Sequence, residues 1–452
     1  IKNELHELGI IIIKESLENM NQMLIDSPVR KNNWSVESHT VKSLITSLGT
    51  VRFRKTLFTN KESGEYEYLL DRILGLERNQ RLTEDAEANM LEEAVQTSYR
   101  RGGEAASIMT DVSKQTVKNK IHQLKFPTDK ELKKKKVVEY LYIEADEDHV
   151  SLQFQEKKGD LVTSANQQKN NCLIEKLVYI HEGIEAEAPE SKRFRLIAPH
   201  YFCSTANDKS NQEFWKDIYQ YIEKHYEVEK IKKIYLNADG GSWILNGIKQ
   251  IPGAVYVLDE YHLNKNLTKL TSHMKDSSED ARKELREAIR NKTKAEFKEI
   301  VERLKEYLDG ENGIERMNTA SEYILSNWTA AKLRLRHKEG VIGSSTEGHV
   351  SHVLSSRMSS RPMGWSVNGA TNMGKLRAYY LNGGDMLELI RHQKEELPKA
   401  VGEDYNILSA QEILRSEKKG YGEMGKYAEV LSHSISLQNK KKVYFNTHIW
   451  GL

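Results

Sequence analysis

Residues 231–260 read IKKIYLNADGGSWILNGIKQIPGAVYVLDE, and this stretch decides the fold. Ile231 to Leu236 and Ala254 to Leu258 are short β runs, and the segment between them carries Trp243, Ile244 and Ile248 in a helical pattern. Strand, helix, strand at this spacing predicts two parallel strands joined by a crossover. Each strand is followed by an acid, Asp239 after the first and Asp259 after the second.

Upstream, Gln212 to Tyr226 repeats Phe214, Ile218 and Ile222 every four residues, with Trp215 and Tyr219 beside them, as an amphipathic helix does. Before that helix three strands are expected: Val137 to Ile143, then Val150, Leu152 and Phe154 in alternation, then Leu177 to Ile180. The order is three strands, helix, strand, helix, strand. An antiparallel trio continued by parallel strands is the order of an RNase H-like mixed α/β sheet.

Residues 264–338 pattern as helices carrying both signs of charge, which predicts an all-helical insertion. Val341 to Ser345 reads as a loop, and Glu347 begins a segment in which Arg357 and Arg361 share one helical face before Pro362 ends the helix. At the other end, the first forty residues read as one amphipathic helix through Leu5, Leu8, Ile12, Leu17 and Met20. Thr50 to Phe58 alternates Val51 and Phe53 with Arg52 and Arg54, and Tyr66 and Tyr68 resume the alternation, predicting a β-hairpin with an arginine-bearing face.

Between Leu82 and Leu124 the pattern is helical, and its second half has the form of two short helices. Tyr99 to Ser107 is the first; after a break at Thr110 and Asp111, Ser113 can cap a second whose apolar face is Val117, Ile121 and Leu124. Lys114, Lys118 and Lys120 lie elsewhere on that helix. Arg101 to Tyr140 holds ten Lys or Arg against five Asp or Glu. This predicts a helix-turn-helix that docks on DNA, its lysines on phosphates. The expected organisation is residues 1–80, helix and hairpin; 81–136, helix-turn-helix; 137–263, first part of the catalytic domain; 264–340, helical insertion; 341–385, its final part; and 386–452, a C-terminal region.

Composition narrows the class. With 452 residues, a net charge of +2, and 30% charged against 38% apolar residues, the chain suits a multidomain globular protein and is neither a small disulfide scaffold nor globally disordered. Two cysteines make no disulfide framework and fit a reducing compartment, so cytoplasmic residence is expected. No apolar run reaches membrane-spanning length.

Asp146 in YLYIEADEDHV, Asp239 in IYLNADGGSW and Glu347 in STEGHVSHV stand where such a sheet would expose them. Glu144, Asp146 and Asp148 share parity, and Asp146 follows the apolar run directly. Like charges gathered together call for a cation, and carboxylate oxygens suit two Mg²⁺ or Mn²⁺ ions, which activate a nucleophile on a phosphate and stabilise its leaving oxygen. His349 and His352 lack the further ligands a zinc site requires.

The segments LYIEADEDHVSLQ, YLNADGGSWI, VLDEYHLNK and EGHVSHVLSSRMSSRPMGWS resemble those of the ISLre-type insertion-sequence transposases, from the hairpin near Thr50 to beyond Trp365. That family resembles the Mutator-like DDE transposases, with an RNase H-like catalytic domain and a helical insertion before the final acid. The resemblance implies a metal-dependent enzyme that cuts and joins DNA, with Asp146, Asp239 and Glu347 as its triad. It also implies a role for His262, which follows an acid by two residues just past the fifth strand, in Asp259, Glu260, Tyr261, His262. Lys265, Arg357 and Arg361 are the expected phosphate contacts. The expected partner is double-stranded DNA, both element ends and target, bound by a dimer or larger assembly. A structure-selective nuclease of the same fold and a catalytically silent DNA-binding regulator are the alternatives.

Overall fold

The protein is described by a computed structural model covering residues 2–128, 131–153, 171–191, 193–308, 310–337 and 339–393, with the side chains of Lys2, Asn3 and Glu347 excepted. Two compact units are found, one comprising Ile1–Met90 with Gly103–Val112, the other Leu91–Gly102 with Ser113–His392.

The first unit holds α1 (Lys2–Asp26), α2 (Pro28–Asn33), β1 (Trp34–Ile45), β2 (Thr50–Asn60), β3 (Tyr66–Glu67) and α3 (Leu69–Ile73). The strands form an antiparallel sheet in that order, and Trp34, Leu44, Val51, Phe53 and Phe58 pack with Leu24, Leu69 and Leu70. The single helix expected over forty residues stops at Asp26. Ser27 precedes Pro28, whose ring disfavours helical backbone at the residue before it. Ser27 instead adopts φ −56°, ψ 122° and caps α2 by accepting the Arg30 N–H. The remainder of the stretch is β1, hidden from the periodicity because Ser35 to Val41 is exposed at every position. β1 pairs with the whole of β2, and the expected partner near Tyr66 adds two residue pairs. Arg52 and Arg54 are exposed, as the alternation predicts.

α4 (Glu84–Gln96) and α5 (Tyr99–Ala105) contribute residues to both units. In the second unit, α6 (Lys114–His122) is capped by the Ser113 hydroxyl and buries Val117 and Ile121. Next come β4 (Tyr140–Ser151), β5 (Cys172–His181), β6 (Ile184–Ala186), β7 (Phe194–Leu196), β8 (His200–Thr205), α7 (Asn211–His225), β9 (Lys233–Ala238), α8 (Ser242–Gly247) and β10 (Ala254–Leu258). Helices α9 (Glu260–Thr271), α10 (Ser278–Asn291), α11 (Lys294–Lys305), α12 (Glu311–Ser326) and α13 (Trp328–Arg336) follow. The unit closes with α14 (Thr346–Val350), α15 (Ser356–Met358), α16 (Val367–Leu381) and α17 (Met386–His392).

A five-stranded mixed sheet, ordered β10-β9-β4-β5-β8, organises this unit. β4, β9 and β10 are parallel, while β5 and β8 run antiparallel. On one face Leu141, Ile143, Ala145, Ile234, Leu236 and Ala238 pack on Phe214, Trp215, Ile218, Ile222 and Ile244 of α7 and α8. The helices α9 to α13 build their own core around Leu263, Leu267, Leu285, Phe297, Ile324 and Leu335.

The antiparallel trio differs from the expected one. β4 does not end at its acids: its ladder with β5 pairs every residue from Tyr142 with His181 to Ser151 with Cys172. Val150 therefore belongs to β4, Leu152 makes an isolated bridge with Trp365, and Phe154 lies outside the described residues. The run Leu177 to Ile180 is part of β5, the second strand. The third is β8, whose HYFCST sequence did not announce itself. Beyond α14 the chain passes through a π-helical turn, Ser351–Ser355, and α15 ends at Met358. Arg361 thus falls beyond the helix, and Pro362 is not its terminator. Among the described residues no helix is long and apolar enough to cross a membrane. Residues 394–452 lie outside the described residues.

Candidate active site at the ends of the parallel strands

The register of the parallel strands lines up three acids. Ala145 of β4 pairs with Ala238 of β9, and Ala238 pairs with Leu258 of β10. The next residue on each strand is an aspartate: Asp146, Asp239 and Asp259. Neighbouring strands sit about 4.8 Å apart, so three acids leave adjacent strands in one row. Because Ala145 faces the α7–α8 core, Asp146, the next residue of the same strand, points to the opposite face. On that face the β4 ladder with β9 has ended while its ladder with β5 continues, so Asp146 remains held as a strand residue. A turn follows Asp239, where Gly240 takes φ +92° and an added Cβ would lie 2.7 Å from Asn327 Oδ1. Only glycine fits there without strain. The Gly241 N–H donates to Asp239 Oδ1 at 2.8 Å, and the Tyr323 hydroxyl donates to the Asp239 carbonyl.

Structure separates the three acids that parity left together. Glu144 is fully buried and accepts from the Tyr179 hydroxyl, the Ser345 N–H at 3.0 Å and the Thr346 hydroxyl at 2.8 Å. His181 Nε2 lies 3.4 Å away. Burial alone would raise the Glu144 carboxyl, but the hydrogen bonds and charge of His181, with those from Tyr179 and Thr346, hold it below the usual carboxylate value. Asp148 accepts from the hydroxyls of Ser355 at 3.1 Å and Ser359 at 2.7 Å. These two carboxylates fasten residues 345–359 to β4. Asp146, between them, has one oxygen on the Glu147 N–H at 2.8 Å. Glu347 is the second residue of α14, directly after the latched Thr346, and its side chain lies outside the described residues.

Asp259 caps α9. It accepts the backbone N–H of His262 at 3.0 Å, lies 3.1 Å from His262 Nδ1 and receives the Ser344 hydroxyl. Burial would raise Asp259, yet those donors hold it below the normal carboxylate range. His262 is raised, first by its hydrogen bond to Asp259 and further by that residue's charge and those of Asp239 and Asp146. Tyr323 is pushed upward by burial and then by Asp239, Asp259 and Asp146. One imidazole and one phenol thus sense the whole acid row.

Arg334 is a part of the site that sequence reading missed. It is 1% exposed, and its Nε donates to the Leu258 carbonyl at 2.9 Å. Its other nitrogens reach Asn237 Oδ1 and the Ile342 carbonyl. Burial lowers its pKa, opposed by the charges of Glu260, Asp259 and Glu144. It is a fixed cation one row beneath the aspartates. Nothing in KLRLR distinguishes it from its neighbours, whereas Glu144 was visible by its shared parity with Asp146.

Mg²⁺ and Mn²⁺ prefer hard oxygen donors, and Asp146 and Asp239 on adjacent strands provide that chemistry. Among the described residues no group of three or more His, Cys, Asp or Glu side chains could hold a metal ion. His349 packs edge-on to Tyr179 at 4.7 Å, and burial lowers it to about 4, which makes it a neutral core imidazole.

The expected phosphate contacts divide. Lys265 is exposed on α9, its ammonium 5.6 Å over the Tyr261 ring. Lys114 is exposed, and Lys118 and Lys120 are half-buried. Arg357 is a correction: it is 4% exposed, donates to the Ala94 carbonyl at 3.0 Å, and lies 5.0 Å over Trp365. Burial lowers it to about 10. Arg357 is a packing residue, separated from Arg361 by the early end of α15. Trp365 is buried with its indole N–H on the Met358 carbonyl at 2.9 Å, and Trp243 donates to Glu147 Oε2 at 2.7 Å. Both indole N–H groups are occupied within the fold.

Comparison with known proteins gives a consistent family assignment. UPF0236 proteins of Caldanaerobacter subterraneus subsp. tengcongensis are 35% identical over 398 residues, covering 88% of this chain and 80% of the relative. The name of one joins eleven locus labels from that strain. The UPF0236 protein in the vanSb 3′ region of Streptococcus gallolyticus is 26% identical, covering 82% of this chain and 79% of its own. Among solved structures, the Drosophila P element transposase strand transfer complex is weakly similar, with a TM-score of 0.24 and 10% identity over 76% of this chain and 93% of that chain. The model of the uncharacterised protein family UPF0236 matches residues 1–395, and the chain belongs to that family.

Proposed function

We propose that this UPF0236 protein is a DNA transposase of the ISLre type, a DDE enzyme on an RNase H-like sheet that cuts and joins the ends of its element. The observation that carries the reading is the shared row of Asp146 and Asp239 on adjacent parallel strands, beside a helix that bears Glu347 and is latched to the same strand by Glu144. A relative whose name joins eleven locus labels of one strain is what a gene recurring within a genome produces, and this also supports a mobile element.

Asp146, Asp239 and Glu347 would hold Mg²⁺ or Mn²⁺, which in this chemistry activates a nucleophile and stabilises the leaving oxygen. Water attacks in cleavage and a DNA 3′-hydroxyl attacks in joining. In each, one P–O bond forms as the opposite one breaks, with no covalent enzyme intermediate. His262, its pKa raised by its hydrogen bond to Asp259, lies beside the acids as a donor to a phosphate oxygen. Lys265 adds a second cation on the same helix. Arg334 offsets part of the charge of Asp259 and Glu144 from below. Helices α5 and α6 act as the two helices of a helix-turn-helix on double-stranded ends, and a dimer or larger assembly brings two ends together.

The test is to incubate the full chain with duplexes from the flanks of its own gene, bearing free 3′-hydroxyls, with Mg²⁺ or Mn²⁺. Nicked and joined products are expected, and chelation should abolish both. Cutting without joining would favour a nuclease, and binding with no strand chemistry a regulator.

A further inference from the structure

The lysines of α6 do not simply face outward. Lys114, Lys118 and His122, spaced four apart, form one stripe of the helix, and this stripe lines a cleft of about 270 Å³. Its other wall includes Tyr99, Trp365 and Ser366. Residues 364–366 are fixed there by β4's continuation: the Trp365 N–H donates to the Ser151 carbonyl, and the Gln153 N–H to the Trp365 carbonyl, at 2.9 and 2.8 Å. From the other side α16 holds the end of α6, with Asn372 Nδ2 on the Ile121 carbonyl and Asn368 Nδ2 on the His122 carbonyl. The cleft is therefore built from fixed backbone.

Its electrostatics are one-sided. No carboxylate lines it, and neither Lys114 nor Lys118 has an acidic partner among the described residues. Converging ammonium groups repel unless an anion lies between them. His122 reports the same field, lowered by burial and then by the charge of Lys118. Tyr99 adds a buried hydroxyl with no hydrogen-bond partner among the described residues. Trp365, buried and edge-on to Tyr99 at 5.9 Å, forms the floor.

We propose that this cleft seats phosphodiester groups of the DNA backbone, held by Lys114 and Lys118 with His122 as a further donor. The proposal rests on the DNA-handling function above and adds where the backbone is gripped. Gln153, at the cleft, follows Asp146 by seven residues of nearly extended chain, at most roughly 23 Å. With about 3.4 Å of duplex axis per phosphate on each strand, the grip lies within roughly seven base pairs of the acid row. Lys120 is not part of the cleft, so the three lysines are not equivalent.

Binding of a fluorescent 20-base-pair duplex to the full chain, followed by anisotropy from low to moderate NaCl, tests this. Each phosphate contact contributes about 0.9 to the slope of log K against log salt. K114A/K118A should lower that slope by about two and weaken binding at least tenfold at low salt. K114R/K118R should keep the slope, and K294A/K298A, on the exposed side of α11, should leave it unchanged. Wild type that binds steeply with an unaltered K114A/K118A slope would overturn the cleft while leaving the DNA function standing; wild type that binds no duplex would defeat both. Diethyl pyrocarbonate labelling of His122, read by mass spectrometry, separates the phosphate sources. Protection by duplex that is lost in K114A/K118A supports the proposal. Protection by inorganic phosphate or a mononucleotide but not by duplex would contradict it.

Discussion

The Thr346 hydroxyl donates to Glu144 Oε2 at 2.8 Å, joining the first turn of the helix that bears Glu347 to the strand that bears Asp146. The two chain segments are two hundred residues apart in sequence, and this bond, with the Ser345 N–H on the same oxygen, sets where the third acid enters. In the proposed transposase Glu144 is thus a positioning residue that does not need to touch DNA.

Replacing Glu144 with Gln keeps the shape but removes the charge that His181, Tyr179, Ser345 and Thr346 converge on. Loss of a buried, charge-assisted acceptor costs about 3 kcal/mol, so E144Q should lower stability by that order in urea unfolding at neutral pH. The Glu144 pKa is depressed on folding, so its contribution is present above the unfolded value near 4.3 and is lost as pH falls through the lower folded value. E144Q should therefore flatten stability against pH on the acid side. An unchanged acid limb would contradict the latch.

His262 makes the opposite prediction. Its pKa is raised by Asp259, so its protonated form is stabilised below the unfolded value near 6.5, and that contribution is lost as pH rises through the folded value. DNA affinity should fall across the same interval. D259N should move that fall to lower pH, read as a shifted midpoint in an anisotropy titration against pH.

Arg334 should be intolerant of change. R334M leaves Asn237, the Leu258 carbonyl and the Ile342 carbonyl without their donor beneath a row of acids, a loss of about 3–5 kcal/mol. R334K should not restore it, because a single ammonium cannot reproduce the three directions of the guanidinium. Thermal unfolding of the two variants gives the answer.

Gly240→Ala places a side chain where φ is +92° and Asn327 Oδ1 is 2.7 Å away. Strain of this kind costs about 1–3 kcal/mol, and relief of it moves the turn that holds Asp239. G240A should lose strand-cutting activity by more than its stability loss explains, with both measured on one preparation.

The parallel strands β9 and β10 were legible because they are apolar, short and followed by acids, and β10 falls on the expected residues. The helical stretch from 264 to 338 was legible for a similar reason, its charges and apolar residues alternating with the helical period. β1 was not, since seven consecutive exposed positions carry no burial pattern. β4 was cut short because acids look like strand ends, whereas pairing with β5 carries the strand through them. Asp146, Asp239 and Asp259 could each be seen as strand-end acids, but their common row is a property of register between strands distant in sequence. Arg357 was misjudged because spacing on a helix says nothing about which face is buried.

Nicking and joining of a duplex with a free 3′-hydroxyl in Mn²⁺, measured for wild type, D146N and D239N alongside calorimetric Mn²⁺ titration of each, bears most directly on the acid row. Wild type should bind the ion and yield joined product, and either substitution should remove at least a thousandfold of the strand chemistry while the protein stays folded and still binds DNA. Full activity in D239N, or ion binding untouched by both changes, would contradict it.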